Sequence, residues 1–502
     1  MSLSQLDAAF FWPEDELTRL LRPALEARDP GLLPQSVVAL LKARGVVIEP
    51  GAESHFPLRE IEPGLFANSS RAKAVARALE PTDGTRLTVI DSLCRNEIDA
   101  LDLQGGFVYL GDRHGGFYAP ETSSKNTPCP RCLLLRYISN RQGSQALYEL
   151  LLEGERVVFP PNENPDPASF LQVTSDSLLL PLPTCQECCE RFERWPEEIS
   201  AGPFSALSSH QVNGLETSVK LPQMIWLCGL PTVGFGSSWD ENPSSGEVRA
   251  VHEALERYSA HFASSEDGVE GFRFVCEGSE RLFSSRQTYL IEPGSLSTGL
   301  ACRRALCDAV QDGLQEVCER DALARFWLRV CRGEAAASTL GSESIEGAQI
   351  EFLLLDSYGH PTVLALGRTH GGSLFLGSAC SSIEPAREKA RREAMQIKAL
   401  FEGRKSEAVE NPQTFLQHGA LYWTKPELFP KIKRGRVDVR PLERDIYHRD
   451  ITSPDLRRCG YVVVRVVVPG LLKLPQAHED WFDILREANS QDAPPPLPHP
   501  FT

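Results

Sequence analysis

The stretch GLQEVCERDALARFW, residues 313–327, combines a helical pattern with acidic side chains on one side of the helix. Glu316, Glu319 and Arg320 recur at spacings of three and four residues, and these spacings place them on one helical face. The pattern extends over about residues 303–332, so we predict one long helix here. A carboxylate-bearing helix of this length needs a sheet or other helices to cover its apolar side.

Two further segments also combine a helical pattern with charged side chains on one face. GEVRAVHEALERYSAHF (246–262) and AREKARREAMQIKALF (386–401) are predicted helices, and strand-like runs at 350–356 and 361–367 precede the second. Their polar faces carry Arg249, Glu253, Glu256 and Arg257 on the first helix, and Glu393 and Gln396 on the second. Each face alone is typical of solvated ion pairs. Carboxylates that converge from several helices would instead suit Mg²⁺ carrying a nucleotide triphosphate.

The first part of the chain has a different organisation. Residues 14–44 have helical periodicity, 86–93 resembles a buried strand, and 105–118 is typical of a hairpin. Loop-like, proline-rich passages follow, and we place the main domain boundary near residue 200. The sequence therefore predicts an α/β (α+β) protein with two parts, residues 1–200 and 201–502.

Two CxxC pairs lie in the first part, Cys129–Cys132 and Cys185–Cys188. Two such pairs can close a structural tetrathiolate zinc site, which has no open coordination position for catalysis. Cys189 directly follows Cys188, so one ligand is ambiguous. The alternatives are a set of buried thiols or one CxxC pair with a redox role.

Composition limits the classes of partner. The chain has 502 residues, and 68 acidic against 52 basic side chains give a formal net charge of −16. This balance argues against general binding of nucleic acid or anionic membranes, although individual basic pockets could bind phosphates. The longest apolar stretch, 461–472, is broken by Arg465 and Pro469 and is too short for a membrane span. With no signal-peptide pattern at the start, we expect a cytoplasmic protein with reduced thiols.

Five motifs together resemble the YcaO family, in the family's order and over about residues 205–502. They are HEALERYS (252–259), STGLAC (297–302) with GLQEVCERDA (313–322), AREKARREAMQ (386–396), RDITSPDLRRCGYVVVRVVVPGL (449–471) and the proline-rich ending PPPLPHPF (494–501). TPCPRCLLLRYISN (127–140) is similar to the zinc segment of the ThiF-like proteins that accompany YcaO enzymes. The resemblance implies a partial ThiF-like α/β region with the zinc site, followed by a YcaO domain of β-sheets packed with long helices.

The resemblance also implies an activity, ATP-dependent cyclodehydration in a ribosomally synthesised peptide pathway such as bacteriocin biosynthesis. A Cys, Ser or Thr side chain of a precursor peptide attacks the preceding amide carbonyl. Phosphorylation of the resulting oxygen by ATP, followed by loss of phosphate, leaves a thiazoline or oxazoline. The sequence contains no GxxxxGK[ST] phosphate loop, so ATP would have to bind through the carboxylate helices.

Site residues follow from the same resemblance. Glu253, Glu256, Glu316 and Glu319 would hold Mg²⁺ and ATP, while Arg257, Glu393 and Gln396 would position the nucleotide. The proline-rich end, with Pro498 and Pro500, would order the active site. The terminal carboxylate of Thr502 would accept a proton. Arg249 stands where many members have Ser, and it either contacts a phosphate or marks altered nucleotide handling.

The implied partners are a precursor peptide, a separate leader-binding protein because the ThiF-like part is short, an FMN-dependent dehydrogenase, and a second copy of the chain in a homodimer. Two other functions stay open. A YcaO enzyme that makes thioamides or amidines would use an external nucleophile. A non-catalytic zinc-containing scaffold would bind the precursor peptide and partner enzymes without binding Mg²⁺–ATP.

Overall fold

The computed structural model describes most of the chain after residue 54, and the predicted helix at 14–44 lies outside the described residues. The described ranges are 55–63, 65–79, 86–99, 101, 105–110, 116–122, 125–140, 157–158, 171–174, 176–222, 224–228, 234–266, 272–276, 279–283, 298–345, 347–402, 415–475, 480–487, 490 and 492–501. They divide into two compact units, and residues before 182 belong mainly to the first and residues after 194 to the second.

The first unit is built on a mixed sheet. Its strands are β1 (His55–Glu62), β2 (Leu65–Ser69), β3 (Leu87–Ile90), β4 (Ser92–Leu93), β5 (Gly105–Tyr109), β6 (Phe117–Thr122), β7 (Val157–Val158) and β8 (Leu171–Gln172). Six of them form one sheet in the order β1-β2-β3-β5-β6-β8, and β4 pairs with β7. Antiparallel pairing of β5 with β6 confirms the predicted hairpin, and the run at 86–93 forms β3 and β4.

Helix α1 packs against this sheet through small side chains. The helices up to residue 191 are α1 (Ser70–Ala78), α2 (Arg95–Asp99), α3 (Pro130–Ser139) and α4 (Gln186–Arg191). Ser69 caps α1, since its hydroxyl accepts a hydrogen bond from Ala72 N at 2.9 Å. Ala72 and Ala76 of α1 are fully buried against Ala67 and Val89 of the sheet. Their small side chains let the helix lie close to the strands.

The second unit contains two five-stranded sheets and a three-stranded one. The strands are β9 (Ser209–Asn213), β10 (Glu216–Lys220), β11 (Phe235–Trp239), β12 (Phe272–Cys276), β13 (Ser279–Phe283), β14 (Leu300–Arg303), β15 (Ala335–Ile345), β16 (Ala348–Leu355), β17 (Ser357–Tyr358), β18 (Thr362–Thr369), β19 (Leu374–Cys380), β20 (Lys433–Arg434), β21 (Val439–Arg440), β22 (Tyr447–Asp450) and β23 (Val462–Val467). The sheet orders are β11-β10-β9, β13-β12-β22-β23-β14 and β19-β18-β16-β15-β20, and β17 pairs with β21.

Long helices pack between these sheets. The helices of the second unit are α5 (Ile225–Cys228), α6 (Pro243–Glu266), α7 (Leu306–Cys331), α8 (Ile383–Glu402), α9 (Phe415–Thr424), a 3₁₀ turn (Pro426–Leu428), α10 (Pro454–Arg458) and α11 (Trp481–Glu487). Helix α7 packs against both five-stranded sheets, α6 against β11, and α8 against β19. The three long helices predicted from periodicity are therefore confirmed, and so is the mixed α/β class. In the described part of the chain, every helix is too short or too polar to cross a membrane.

Candidate nucleotide and metal site

Strand β11 and helix α6 form the first part of the site. At Gly236 the strand passes so close to α6 that an added Cβ would lie 2.0 Å from Ala250 O. The next residue, Ser237, donates its backbone N–H to Glu253 Oε2 at 2.6 Å. Its hydroxyl accepts a hydrogen bond from Gln396 Nε2 of α8 at 2.6 Å. Glycine thus permits the close approach that holds a glutamate of one helix and an amide of another at one strand position.

Strand β19 and helix α8 repeat this arrangement. A Cβ at Gly377 would lie 2.2 Å from Ala394 N, so here too the strand and the helix touch through their backbones. Ser378 donates its N–H to Glu393 Oε2 at 3.3 Å and its hydroxyl to Glu319 Oε1 of α7 at 2.6 Å. The Gly–Ser step of each strand therefore connects carboxylate or amide side chains from two different helices.

Two other backbone groups hold the remaining glutamates. Gly299, at a φ of 80° that favours glycine, donates its N–H to Glu316 Oε2 at 3.0 Å. Cys302 N, in β14, donates to Glu256 Oε1 at 2.9 Å. Each of these carboxylates thus accepts a backbone hydrogen bond that fixes its orientation.

Basic side chains offset part of the negative charge. Arg320 lies 3.2 Å from Glu319 and 3.5 Å from Glu316, and Arg257 lies 2.7 Å from Glu253. The half-exposed Lys389 reaches Glu393 at 3.8 Å. Among these residues, sequence reasoning gave no role to Arg320 and did not single out Lys389. Their spacings were an available signal, because Lys389 precedes Glu393 by one helical turn and Arg320 directly follows Glu319.

The acidic groups raise one another's pKa values. Burial raises the pKa of Glu256 to about 8, and the negative charges of Glu316 and Glu253 add to this effect. Burial and the charge of Glu319 raise the pKa of Glu393 to about 7. The pKa of Glu316 is also raised, first by burial and then by Glu319, against the opposing effect of Arg320. The network therefore carries more carboxylate than its own cations neutralise.

This excess suits divalent cations that carry phosphates. Mg²⁺ takes one or two carboxylates together with phosphate oxygens and water, so the carboxylates around it need not touch one another. In the described part of the chain, no three of these glutamates have ligand atoms that all lie within 4.8 Å of one another. The acidic residues predicted from the sequence are brought into one network, and their binding roles stay predictions.

Arg249 is already engaged by the protein. Its guanidinium pairs with the carboxylate of Asp240 and donates from Nε to Ser238 Oγ at 3.2 Å. Burial lowers the pKa of Arg249, and the neighbouring Arg392 lowers it further. Contact with a phosphate would therefore have to compete with Asp240.

The four predicted zinc ligands come together. The sulfur atoms of Cys129, Cys132, Cys185 and Cys188 all lie within 4.8 Å of one another. Tetrahedral zinc with bonds of about 2.3 Å would separate its sulfur ligands by about 3.8 Å, so these thiols fit the ion with little movement. Cys189 has another role, because its thiol donates to Leu182 O at 3.3 Å. This geometry favours Cys188 over Cys189 as the fourth ligand, and the zinc site itself stays a prediction.

The proline-rich tail docks on the C-terminal half of α7. Trp327 Nε1 donates to Leu497 O at 3.0 Å, and Tyr422 OH donates to Pro498 O at 2.5 Å. Pro500 and Phe501 are buried. The tail has no helix or strand, as its composition predicts. Thr502 lies outside the described residues, and the catalytic roles of Pro498, Pro500 and Thr502 stay predictions.

Part of the second unit matches a known protein family. Residues 283–472 match the family model described as YcaO cyclodehydratase, ATP- and Mg²⁺-binding. That range includes Glu316, Glu319, Glu393 and Gln396, and α6 precedes it. No curated protein matches the chain significantly.

One solved structure shows a similar fold, and two others align less well. A heterocyclase in complex with substrate and cofactor aligns with a TM-score of 0.60 and 14% identity over 94% of this chain and 92% of that chain. YcaO from Methanopyrus kandleri bound with AMPPCP and Mg²⁺ aligns with a TM-score of 0.41 and 18% identity, over 58% of this chain and 91% of that one. The heterocyclase TruD aligns with a TM-score of 0.48 and 14% identity, over 83% of this chain and 79% of that one. Residues 283–472 thus match the YcaO cyclodehydratase family model, and the chain is similar in fold to a heterocyclase.

Proposed function

We propose that this protein is an ATP-dependent cyclodehydratase that forms thiazolines or oxazolines from Cys, Ser or Thr residues of a ribosomally synthesised precursor peptide. The single observation that carries the proposal is the acidic network, in which glutamates from α6, α7 and α8 are oriented by backbone N–H groups. Surface ion pairs do not need such orientation. A site that binds Mg²⁺ and a triphosphate does.

The proposed chemistry activates an amide oxygen, which is otherwise a poor leaving group. Bound Mg²⁺–ATP would supply a phosphoryl group for that oxygen. Glu253, Glu256, Glu316 and Glu319 would hold the metal ions, and Arg257, Glu393 and Gln396 would position the nucleotide. Arg320 and Lys389 extend this set as cations that would offset the negative charge of the phosphates. Phosphoryl transfer depends mainly on positioning and charge neutralisation, and this chain's residues are suited to both.

The decisive experiment is a mass measurement. The full chain is incubated with ATP, Mg²⁺ and a Cys-, Ser- and Thr-rich peptide encoded beside its gene, with the neighbouring leader-binding protein where one is encoded. We expect loss of the mass of one water for each ring formed. A gain equal to the difference between sulfur and oxygen would instead identify a thioamide-forming enzyme of the same family.

Matched variants test the assigned residues. Glu316→Gln should abolish turnover because it removes a charge on which the metal site depends, while Glu384→Gln, an equally conservative change at an exposed position of α8, should leave it intact. Turnover and precursor mass are measured for both, with circular dichroism as a folding control. Wild-type turnover in Glu316→Gln would contradict the assignment. If the wild type bound no nucleotide, either with or without Mg²⁺, the result would support a non-catalytic scaffold instead.

Zinc, the N-terminal fold and the partners belong to the same proposal. We infer that Cys129, Cys132, Cys185 and Cys188 bind one structural Zn²⁺ in a shortened ThiF-like region. The sulfur geometry supports this, and a closed tetrathiolate has no position for substrate. We further propose a cytoplasmic homodimer that acts with a leader-binding protein and an FMN-dependent dehydrogenase in bacteriocin-type biosynthesis.

A further inference from the structure

Helix α3 carries a fully buried arginine close to the predicted zinc ligands. The segment CPRCLLLR, residues 129–136, places Arg136 four residues after Cys132, and both residues belong to α3. Side chains four residues apart in a helix lie on one face, with about 6 Å between their Cβ atoms. Arg136 is therefore a neighbour of a predicted zinc ligand.

The surroundings of Arg136 are unusual for a charged side chain. Arg136 is fully buried, and residues 132–139 of α3 are buried as well. A guanidinium stays protonated inside a protein, so it cannot avoid the cost of burial by losing its proton. The loss of its hydration has to be compensated by hydrogen-bond acceptors and by negative charge close to it.

Two carbonyl oxygens orient this guanidinium. Arg136 Nε donates to Leu180 O at 3.2 Å, and Nη2 donates to Pro181 O at 2.7 Å. These two residues lead into the second CxxC pair, since Cys185 follows Pro181 by four residues. Arg136 thus connects the helix that carries Cys132 with the chain segment that leads to Cys185.

The zinc site would supply the negative charge. Four thiolates carry two more negative charges than one Zn²⁺ neutralises, and three of the four cysteines are buried. Such an excess of charge favours a cation close to the ligands. Groups just outside the ligands of a metal commonly orient those ligands and raise the affinity for the ion. An apolar side chain of similar length at position 136 would fill the same space without a desolvation cost, and it would give the thiolates nothing in return.

We propose that Arg136 is a positioning residue of the zinc site and acts in two ways. Its hydrogen bonds hold the segment that leads to Cys185 against α3, and its charge offsets the excess negative charge of the four thiolates when zinc is bound. This inference rests on the structural zinc site of the proposed function. It adds a residue that does not bind the ion itself and yet determines how tightly the ion is held.

Zinc affinity of the full chain is the first measurement, by competition with a chromophoric zinc chelator. The second is thermal unfolding of the zinc-free and the zinc-loaded protein. We expect Arg136→Met to weaken zinc binding by about ten-fold or more, as loss of a group outside the ligands commonly does. The same variant should reduce the rise in melting temperature that zinc produces in the wild type. A residue that only packs would lower the two melting temperatures equally.

Two further variants separate charge from packing. Arg131→Met makes the same change inside the first CxxC pair at an exposed position of α3, where water screens the charge, and should bind zinc like the wild type. Arg136→Lys keeps the charge and loses the planar fork, so it should restore part of the affinity that Arg136→Met loses and stay a few-fold below the wild type.

The outcomes distinguish this inference from the zinc site itself. A wild-type chain that binds no zinc would refute both. A wild type that binds zinc, with unchanged affinity in Arg136→Met or an equal loss in Arg131→Met, would overturn the role of Arg136 alone. Should Arg136→Met fail to fold, Arg136→Lys decides, because wild-type affinity in that variant overturns the inference and a few-fold loss supports it.

Discussion

Gly377 offers the sharpest test of how the site is assembled. We consider Gly377→Ala, which adds one methyl group where β19 meets α8. The new Cβ would lie 2.2 Å from Ala394 N and 2.4 Å from Ala390 O. These are backbone atoms of a helix, so no side-chain rotation can relieve the contact.

The size of the effect follows from these distances. Ordinary contact begins at about 3.4 Å, so α8 must retreat from the strand by about 1 Å. The Ser378 N to Glu393 Oε2 distance, now 3.3 Å, would then exceed the limit for a hydrogen bond. Overpacking of a core typically costs 1–3 kcal/mol, and a value of about 2 kcal/mol lowers the melting temperature by roughly 3 °C in a unit of this size. Loss of this hydrogen bond, worth about 1 kcal/mol, should weaken Mg²⁺-dependent nucleotide binding by about five-fold.

Differential scanning calorimetry and Mg²⁺-dependent nucleotide binding measure the two consequences separately. Gly371→Ala is the matched control, because a Cβ there would meet only Thr369 Oγ1 at 3.7 Å and the position has no positive φ. We expect Gly371→Ala to behave like the wild type in both assays. Gly377→Ala with the wild-type melting temperature and unchanged nucleotide affinity would refute the close-approach argument.

Three further predictions concern other parts of the molecule. Without Mg²⁺, the stability of the wild type relative to Glu256→Gln should fall as pH rises from about 4.5 to about 8. The folded carboxyl keeps its proton over this range and the unfolded one releases it. Denaturant titrations at both ends would show no such fall if the pKa of Glu256 were not raised. Cys188→Ser should lose bound zinc and Cys189→Ser should keep it, as metal analysis would report; equal zinc contents would contradict the assignment of Cys188. Arg249→Ala should change nucleotide affinity by less than about five-fold because Asp240 already pairs with its half-exposed guanidinium, whereas a ten-fold loss in calorimetry would indicate contact with a phosphate.

The positions of the long helices and the two cysteine pairs could be predicted from the sequence, because both depend on the spacing of nearby residues. Apolar periodicity predicted α6, α7 and α8, since each buries one stripe along its length. The CxxC spacing alone predicts that the two thiols of each pair lie close together. The sequence could not decide between Cys188 and Cys189, because that choice depends on whether a thiol turns toward the other cysteines or toward Leu182 O.

The backbone donors of the site were not accessible in the same way. Gly236 and Gly377 resemble ordinary strand glycines, and their role exists only where a helix remote in sequence passes over them.

The two Gly–Ser steps share one interval along the sequence. In β11 the serine N–H reaches a glutamate 16 residues later, and in β19 it reaches one 15 residues later. Both strands run directly into the helix that supplies that glutamate. The same local geometry therefore brings a backbone N–H of each strand to a glutamate of the helix that follows it. A search for distant relatives could therefore require Gly-Ser followed by Glu 15 or 16 residues after the serine, twice in one chain. Such a pattern depends on these backbone contacts and leaves every other position of the two helices free to change.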